Sequence, residues 1–247
     1  MARILGKAAD IFVDEFLFDD ETNGVEIDID NGLGDVTAFA DTDATFVEGK
    51  AGFTLGINGL WSTASENYDG EMFTDLTAAD RRVGIYPNAA TAGERGYEGA
   101  TNISAAPRVS ETESAIALNV TWRGDTPLGR SWSLMRNTGQ GSGTTNGTAY
   151  QAGAVTASQT IVGVLRCMGS SGGVDRTLDV TIQSASDEAF TTPNTRLTFT
   201  QITTVAAFEV QTLAGANTDT WWRARAVVAG TSTPSFDMFV AFYIRTT

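Results

Sequence analysis

The sequence has no histidine, one cysteine, five prolines and only two lysines. Each shortage closes off chemistry. Without histidine there is no Ser-His-Asp or Cys-His relay, and most zinc sites lose a principal ligand. With lysine only at Lys7 and Lys50, Schiff-base and phosphate-loop roles have almost no candidates. Cys167 has no partner for an internal disulfide, and its setting, Leu165-Arg166-Cys167-Met168, predicts a small buried residue in a strand rather than a reactive thiol. No apolar run approaches the about 20 residues that span a bilayer. The start, Met1-Ala2-Arg3-Ile4-Leu5-Gly6-Lys7, lacks the apolar segment of an export signal, so no membrane passage is expected. An enzyme made from this inventory would run on carboxylates alone, and none is expected, with no cofactor and no metal.

What the chain does have is glycine, 26 in 247 residues, with Thr and Val throughout. That balance favours strands and turns, on a length that holds one large or two medium β domains. The net charge is −14 and unevenly placed. Met1 to Arg136 carries ten Lys/Arg against 23 Asp/Glu, and Asn137 to Thr247 carries six Arg against seven Asp/Glu. Such a surface repels nucleic acid.

Alternation places the elements. Val25, Ile27 and Ile29 share one face of a strand, and Glu26, Asp28 and Asp30 share the other. A second alternating run buries Phe53, Leu55 and Ile57. Between them lies a connection too long for a tight hairpin, which marks a loop kept for a partner. Met72, Phe73 and Leu76 fall at helical spacing and predict a short helix. Further strands are expected at Ile11–Val13, Phe16–Phe18, Arg81–Tyr86, Gly96–Ile103 and Ala115–Arg123, the last with Ile116, Leu118, Val120 and Trp122 on one face. Residues 137–148, rich in Gly, Ser and Thr, read as a linker. Beyond it, strands at Thr160–Leu165, Thr177–Gln183, Arg196–Ile202, Ala206–Leu213, Trp221–Val228 and Phe236–Tyr243 predict a β-sandwich over 149–247.

Few motifs carry chemistry. Asp28-Ile29-Asp30-Asn31-Gly32 starts like a calcium loop, but Gly32 takes a ligand position and strands flank it, so a solvated acidic face is the better reading. Gly139-Gln140-Gly141-Ser142-Gly143 has no lysine or helix after it to cradle a phosphate. Asp19-Asp20-Glu21 and Glu111-Thr112-Glu113 are carboxylate pairs, which read as surface charge rather than a glycosidase pair. On Trp221-Trp222-Arg223-Ala224-Arg225 alternation sets Trp221, Arg223 and Arg225 on one face. That face is a candidate outer binding surface, although Trp222 in the core with both arginines paired to acids is the favoured reading.

Asp35-Val36-Thr37-Ala38-Phe39-Ala40-Asp41, then Glu48-Gly49-Lys50, then Phe53 to Ile57 closing at Gly59-Leu60-Trp61, resemble the major tail tube proteins of long-tailed, non-contractile bacteriophages. The resemblance covers residues 1–136. It implies a mainly β fold: a tail-tube-like β-barrel or sandwich with one short helix over 1–136, and a C-terminal β-sandwich over 149–247 on the tube exterior. It implies homohexameric rings stacked into a hollow tail tube, in contact with other tail proteins, within a virion made in the host bacterial cytoplasm. DNA would pass through without specific binding. Glu26, Asp28 and Asp30 become lumen candidates, and Asp35, Phe39, Asp41, Asp43, Glu48 and Lys50 become candidates for the inter-ring loop. The alternative is a β-sandwich binding module: a tail fibre, a capsid decoration or a carbohydrate-binding protein.

Overall fold

The computed structural model describes residues 9–18, 22–30, 33–35, 46–48, 52–60, 81–111 and 116–246. The described chain is built of strands: β1 (Asp10–Val13), β2 (Phe16–Leu17), β3 (Thr22–Asp30), β4 (Leu33–Asp35), β5 (Phe46–Glu48), β6 (Gly52–Leu60), β7 (Arg81–Tyr86), β8 (Arg95–Glu111), β9 (Ile116–Gly124), β10 (Gly129–Gly141), β11 (Gly143–Asn146), β12 (Tyr150–Gln151), β13 (Gln159–Ser171), β14 (Thr177–Ala185), β15 (Asn194–Thr198), β16 (Ala207–Ala214), β17 (Trp221–Ala229) and β18 (Ser235–Thr246). The mainly β expectation agrees with this. No helix is present among the described residues, and the helix expected around Met72 to Leu76 lies outside them.

Two compact units divide the chain differently from the two sequence halves. One takes Met1–Leu17, Gly84–Glu98 and Gly129–Thr247, and the other takes Phe18–Val83 and Gly99–Leu128. Residues 137–148, read as a linker, hold the end of β10 and all of β11. They are paired into sheets, with Gln140 opposite Phe236 and Thr145 opposite Ala226. Gly139 (φ 67°) lies at a register shift within β10, between Asn137 and Gln140, and Gly143 (φ 121°) opens β11; both take a left-handed backbone that side chains disfavour.

The larger unit is a β-sandwich. One sheet runs β16-β13-β18-β10, and the facing sheet runs β11-β17-β14-β15 with β12 also on β17. Alternation explains the core between them. Phe236, Met238, Val240 and Phe242 of β18 meet Leu178, Val180 and Ile182 of β14 and Trp222, Ala224 and Ala226 of β17. The intervening residues of β18 are also buried. Phe239 and Ala241 pack with Phe12 and Tyr86, and Tyr243 packs with Val162 and Val164. β18 is thus covered on both faces, which its near-continuous apolar sequence anticipates.

A charge sits in that second layer. Arg166 follows Val162 and Val164 on the same face of β13, is fully buried, and reaches Glu98 of β8 through two hydrogen bonds of 2.7 and 2.9 Å. The Tyr86 hydroxyl donates to Glu98 at 2.9 Å and lies 2.9 Å from the Ser131 hydroxyl. Burial pushes the Tyr86 phenol well above its ordinary range. Burial opposes the charge on Arg166, yet the Glu98 carboxylate more than compensates and the guanidinium is held charged. Its plane lies 5.1 Å from the Phe12 ring centroid. Gly84 is required here, because a β-carbon would stand 2.6 Å from a Glu98 oxygen.

The smaller unit holds the antiparallel run β3-β6-β9-β8 and the short β4–β5 ladder. Register makes its two faces unlike. Ile27, Leu55, Trp122 and Ile103 form one cross-strand row, and Val25, Ile57 and Val120 form the next. Phe53, Leu55, Ile57, Val120 and Trp122 are buried as their alternation predicts. Gly99 and Gly124 leave room for the Phe53 ring, which a β-carbon at either position would overlap. The expected buried face of β3 fails at one position. Ile29 is 56% exposed, because it ends a strand that has a neighbour on one side only among the described residues.

Candidate functional sites: an acidic sheet face, a hairpin and an arginine ridge

On the other face of the smaller unit's sheet, Glu26 lies opposite Gly56, which lies opposite Thr121. Asp28 lies opposite Thr54, and Thr54 opposite Arg123. Glu26, Asp28, Thr54 and Arg123 are exposed. The face is therefore wet, with carboxylates along the β3 edge and small residues beside them. Asp30 continues the same register, opposite Gly52. Two of the three lumen candidates are thus placed together on a solvated face. The two carboxylates disfavour a polyanion along the β3 side of this face.

The long connection between β3 and β6 is pinned at its base. β4 and β5 pair antiparallel, with Leu33 opposite Glu48 and Asp35 opposite Phe46. The ladder holds Asp35 and Glu48 at the foot of the connection. Phe39, Asp41, Asp43 and Lys50 lie outside the described residues.

The third candidate, on β17, is sharper than the sequence reading allowed. Trp222 is fully buried, its indole N–H donating to the Gly153 carbonyl at 3.1 Å. Trp221, Arg223 and Arg225 alternate with it on the outward face and are half-buried. The arginines do not pair with acids across the sheet, because their cross-strand neighbours are Gln183 and Thr181. Arg223 Nε donates to Gln183 Oε1 at 3.0 Å, and its guanidinium lies 4.2 Å from the centroid of the Phe190 ring. Burial, and then the Arg225 charge, lower the Arg223 pKa from its ordinary value. Phe190 and Gln183 are the residues that sequence reasoning missed. Phe190 belongs to the connection between β14 and β15 and takes φ 53°, and nothing local in the sequence signals its approach to β17.

The neighbouring end of the same sheet is structural. Asp219 Oδ2 accepts from Ser184 at 2.6 Å, from Arg196 at 2.9 Å and from Asn194 at 3.0 Å. These bonds, with Ser184 foremost, hold the Asp219 carboxyl below its usual range. Among the described residues no group of three Cys, Asp or Glu side chains gathers to hold a metal.

No family model and no curated protein matches the chain. Among solved structures it is similar to chains of phage, virus and gene-transfer-agent particles, at low identity. A protein in the virion of a native gene transfer agent particle is 13% identical, with 51% of this chain and 97% of that one covered at a TM-score of 0.40. The SPP1 tail tube protein is 8% identical, with 50% and 77% covered at 0.41. The SPP1 Dit protein, from a hub adsorption apparatus, is 11% identical, with 96% and 99% covered at 0.35.

Proposed function

We propose that this chain is a structural virion protein that polymerises through copies of itself, as stacked hexameric rings, into a hollow tail tube. It contacts other tail proteins, works by assembly and not by catalysis, and lets DNA pass without specific binding. The sequence resemblance over residues 1–136 suggests the tube. The observation that carries the reading is the two-faced sheet of β3, β6 and β9. One face is apolar and buried, the other presents Glu26 and Asp28 to solvent, and β3 is its edge among the described residues. A nine-residue edge strand without proline is a pairing surface that folded proteins rarely leave uncovered. A further copy is the occupant that would cover it and continue the acidic face around a channel. The β4–β5 hairpin is the inter-ring element, and the C-terminal sandwich lies on the exterior.

The test is deletion of Asp41 to Gly49. The truncated chain should remain folded and lose concentration-dependent polymerisation in sedimentation. Polymers equal to those of the intact chain would contradict the assignment.

The runner-up reading, a β-sandwich binding module, is favoured by one observation: the outward arginines of β17 have no acidic partner in the sheet.

A further inference from the structure

Trp221, Arg223 and Arg225 project from one face of β17 at intervals of about 6–7 Å, twice the rise per residue of a strand. Arg223 is locked in place. Its Nε is committed to Gln183, itself only 7% exposed, and its plane rests on Phe190, only 5% exposed. The terminal amino groups of Arg223 have no partner among the described residues. Arg225 has neither an ion pair nor a hydrogen bond among them. Across from Arg225, the Thr181 hydroxyl oxygen is shielded from solvent and has no hydrogen-bond partner. Asp179, opposite Val227 on the same face, is already taken by the Gln201 amide, at 3.0 Å to each carboxylate oxygen.

A chain with a net charge of −14 therefore holds two neighbouring guanidinium groups that have no counterion among the described residues. Burial first, and then the neighbouring Arg225 charge, lower the pKa of Arg223. An external anion would relieve that repulsion and use the idle donors. The preorganised fork of Arg223 matches a planar carboxylate, and the indole of Trp221 one position away offers a flat apolar surface. Around them the cross-strand partners carry no charge, with Gln151 and Ala185 opposite Trp221 and Asn146 and Thr181 opposite Arg225.

We propose that Arg223 and Arg225 bind the carboxylate of an acidic sugar whose ring rests on Trp221. The two arginines accept the charge and Trp221 takes the less polar ring face. Gln183 and Phe190 are positioning residues that hold the Arg223 fork outward. This site is independent of ring formation, so it stands or falls separately from the tube reading.

Calorimetry of the full chain tests it with four probes: trigalacturonic acid, its methyl ester, inorganic phosphate and triglutamate. The acid should bind, and the ester should bind at least about 10-fold more weakly, as loss of a charge-assisted contact implies. Arg225→Gln removes a guanidinium with no hydrogen bond or ion pair among the described residues and should keep the melting temperature while weakening the acid about 10-fold. Trp221→Ala should weaken it several-fold. Equal binding of acid and ester, or an unchanged affinity in Arg225→Gln, would overturn the proposal. So would phosphate or triglutamate binding as tightly as the acid, because the site would then be a general anion or peptide surface. Failure of the acid to bind would overturn it too.

Discussion

The two units treat their sheet faces in opposite ways. In the sandwich, β18 is covered on both sides, and even a charge, Arg166, is buried and answered by Glu98. In the smaller unit, the sheet of β3, β6 and β9 is apolar on one side and solvated on the other, and its edge strand leaves Ile29 more than half exposed. The sandwich answers its buried charge internally, although the Thr181 hydroxyl and Arg166 Nε have no partner among the described residues. The smaller unit leaves Glu26 and Asp28 exposed on one face, and its strand β3 has a neighbour on one side only among the described residues.

That contrast can be broken first at the buried pair. Glu98→Gln or Arg166→Met alone should destabilise the chain by about 3–5 kcal/mol in denaturant unfolding, because each strands an uncompensated buried group. Replacing both with apolar residues should recover much of the loss. If the single changes are mild, the sandwich does not depend on its internal ion pair.

In the smaller unit, Leu55→Ala removes the centre of the Ile27–Leu55–Trp122 row and should cost about 2–5 kcal/mol. Gly124→Ala drives a methyl into the Phe53 ring and should cost about 1–3 kcal/mol by overpacking. Glu26→Gln with Asp28→Asn should leave stability nearly unchanged, since both side chains are exposed. A large loss there would mean that the wet face is not free.

The Asp219 network sharpens the comparison with pH. Its folded pKa is depressed, so its contribution is complete above the ordinary carboxylate value and is lost as pH falls through the lower folded value. Asp219→Asn should therefore cost most stability at neutral pH and least in acid, which flattens the acid limb of the stability curve. The smallest effect belongs to Cys167. Burial pushes its thiol up to about 11, so thiol reagents should react with the native chain far more slowly than with the unfolded one.

Much of the strand order was legible because alternation is a local signal. The run Trp221–Val228 matches β17 to within one residue, and Phe53, Leu55 and Ile57 are buried as their period demands. What stayed hidden is long-range. Glu98 and Arg166 are 68 residues apart, and the only hint was an arginine at a position where β13 otherwise buries valine. Residues 137–148 misled because glycine and threonine look the same in a linker as in two strand ends that cross between sheets, and only their partners on β17 and β18 distinguish the two. Phe190 carried no sign that it would meet Arg223, since a loop's landing point is not written in its own residues.

The proposed function turns on self-assembly, and the most direct measurement is negative-stain electron microscopy of the purified chain at increasing concentration. The account predicts six-fold rings that stack into hollow tubes, and fewer of them when the exposed Ile29 of β3 is replaced by lysine. Monodisperse single copies at every concentration, from protein shown to be folded, would contradict it.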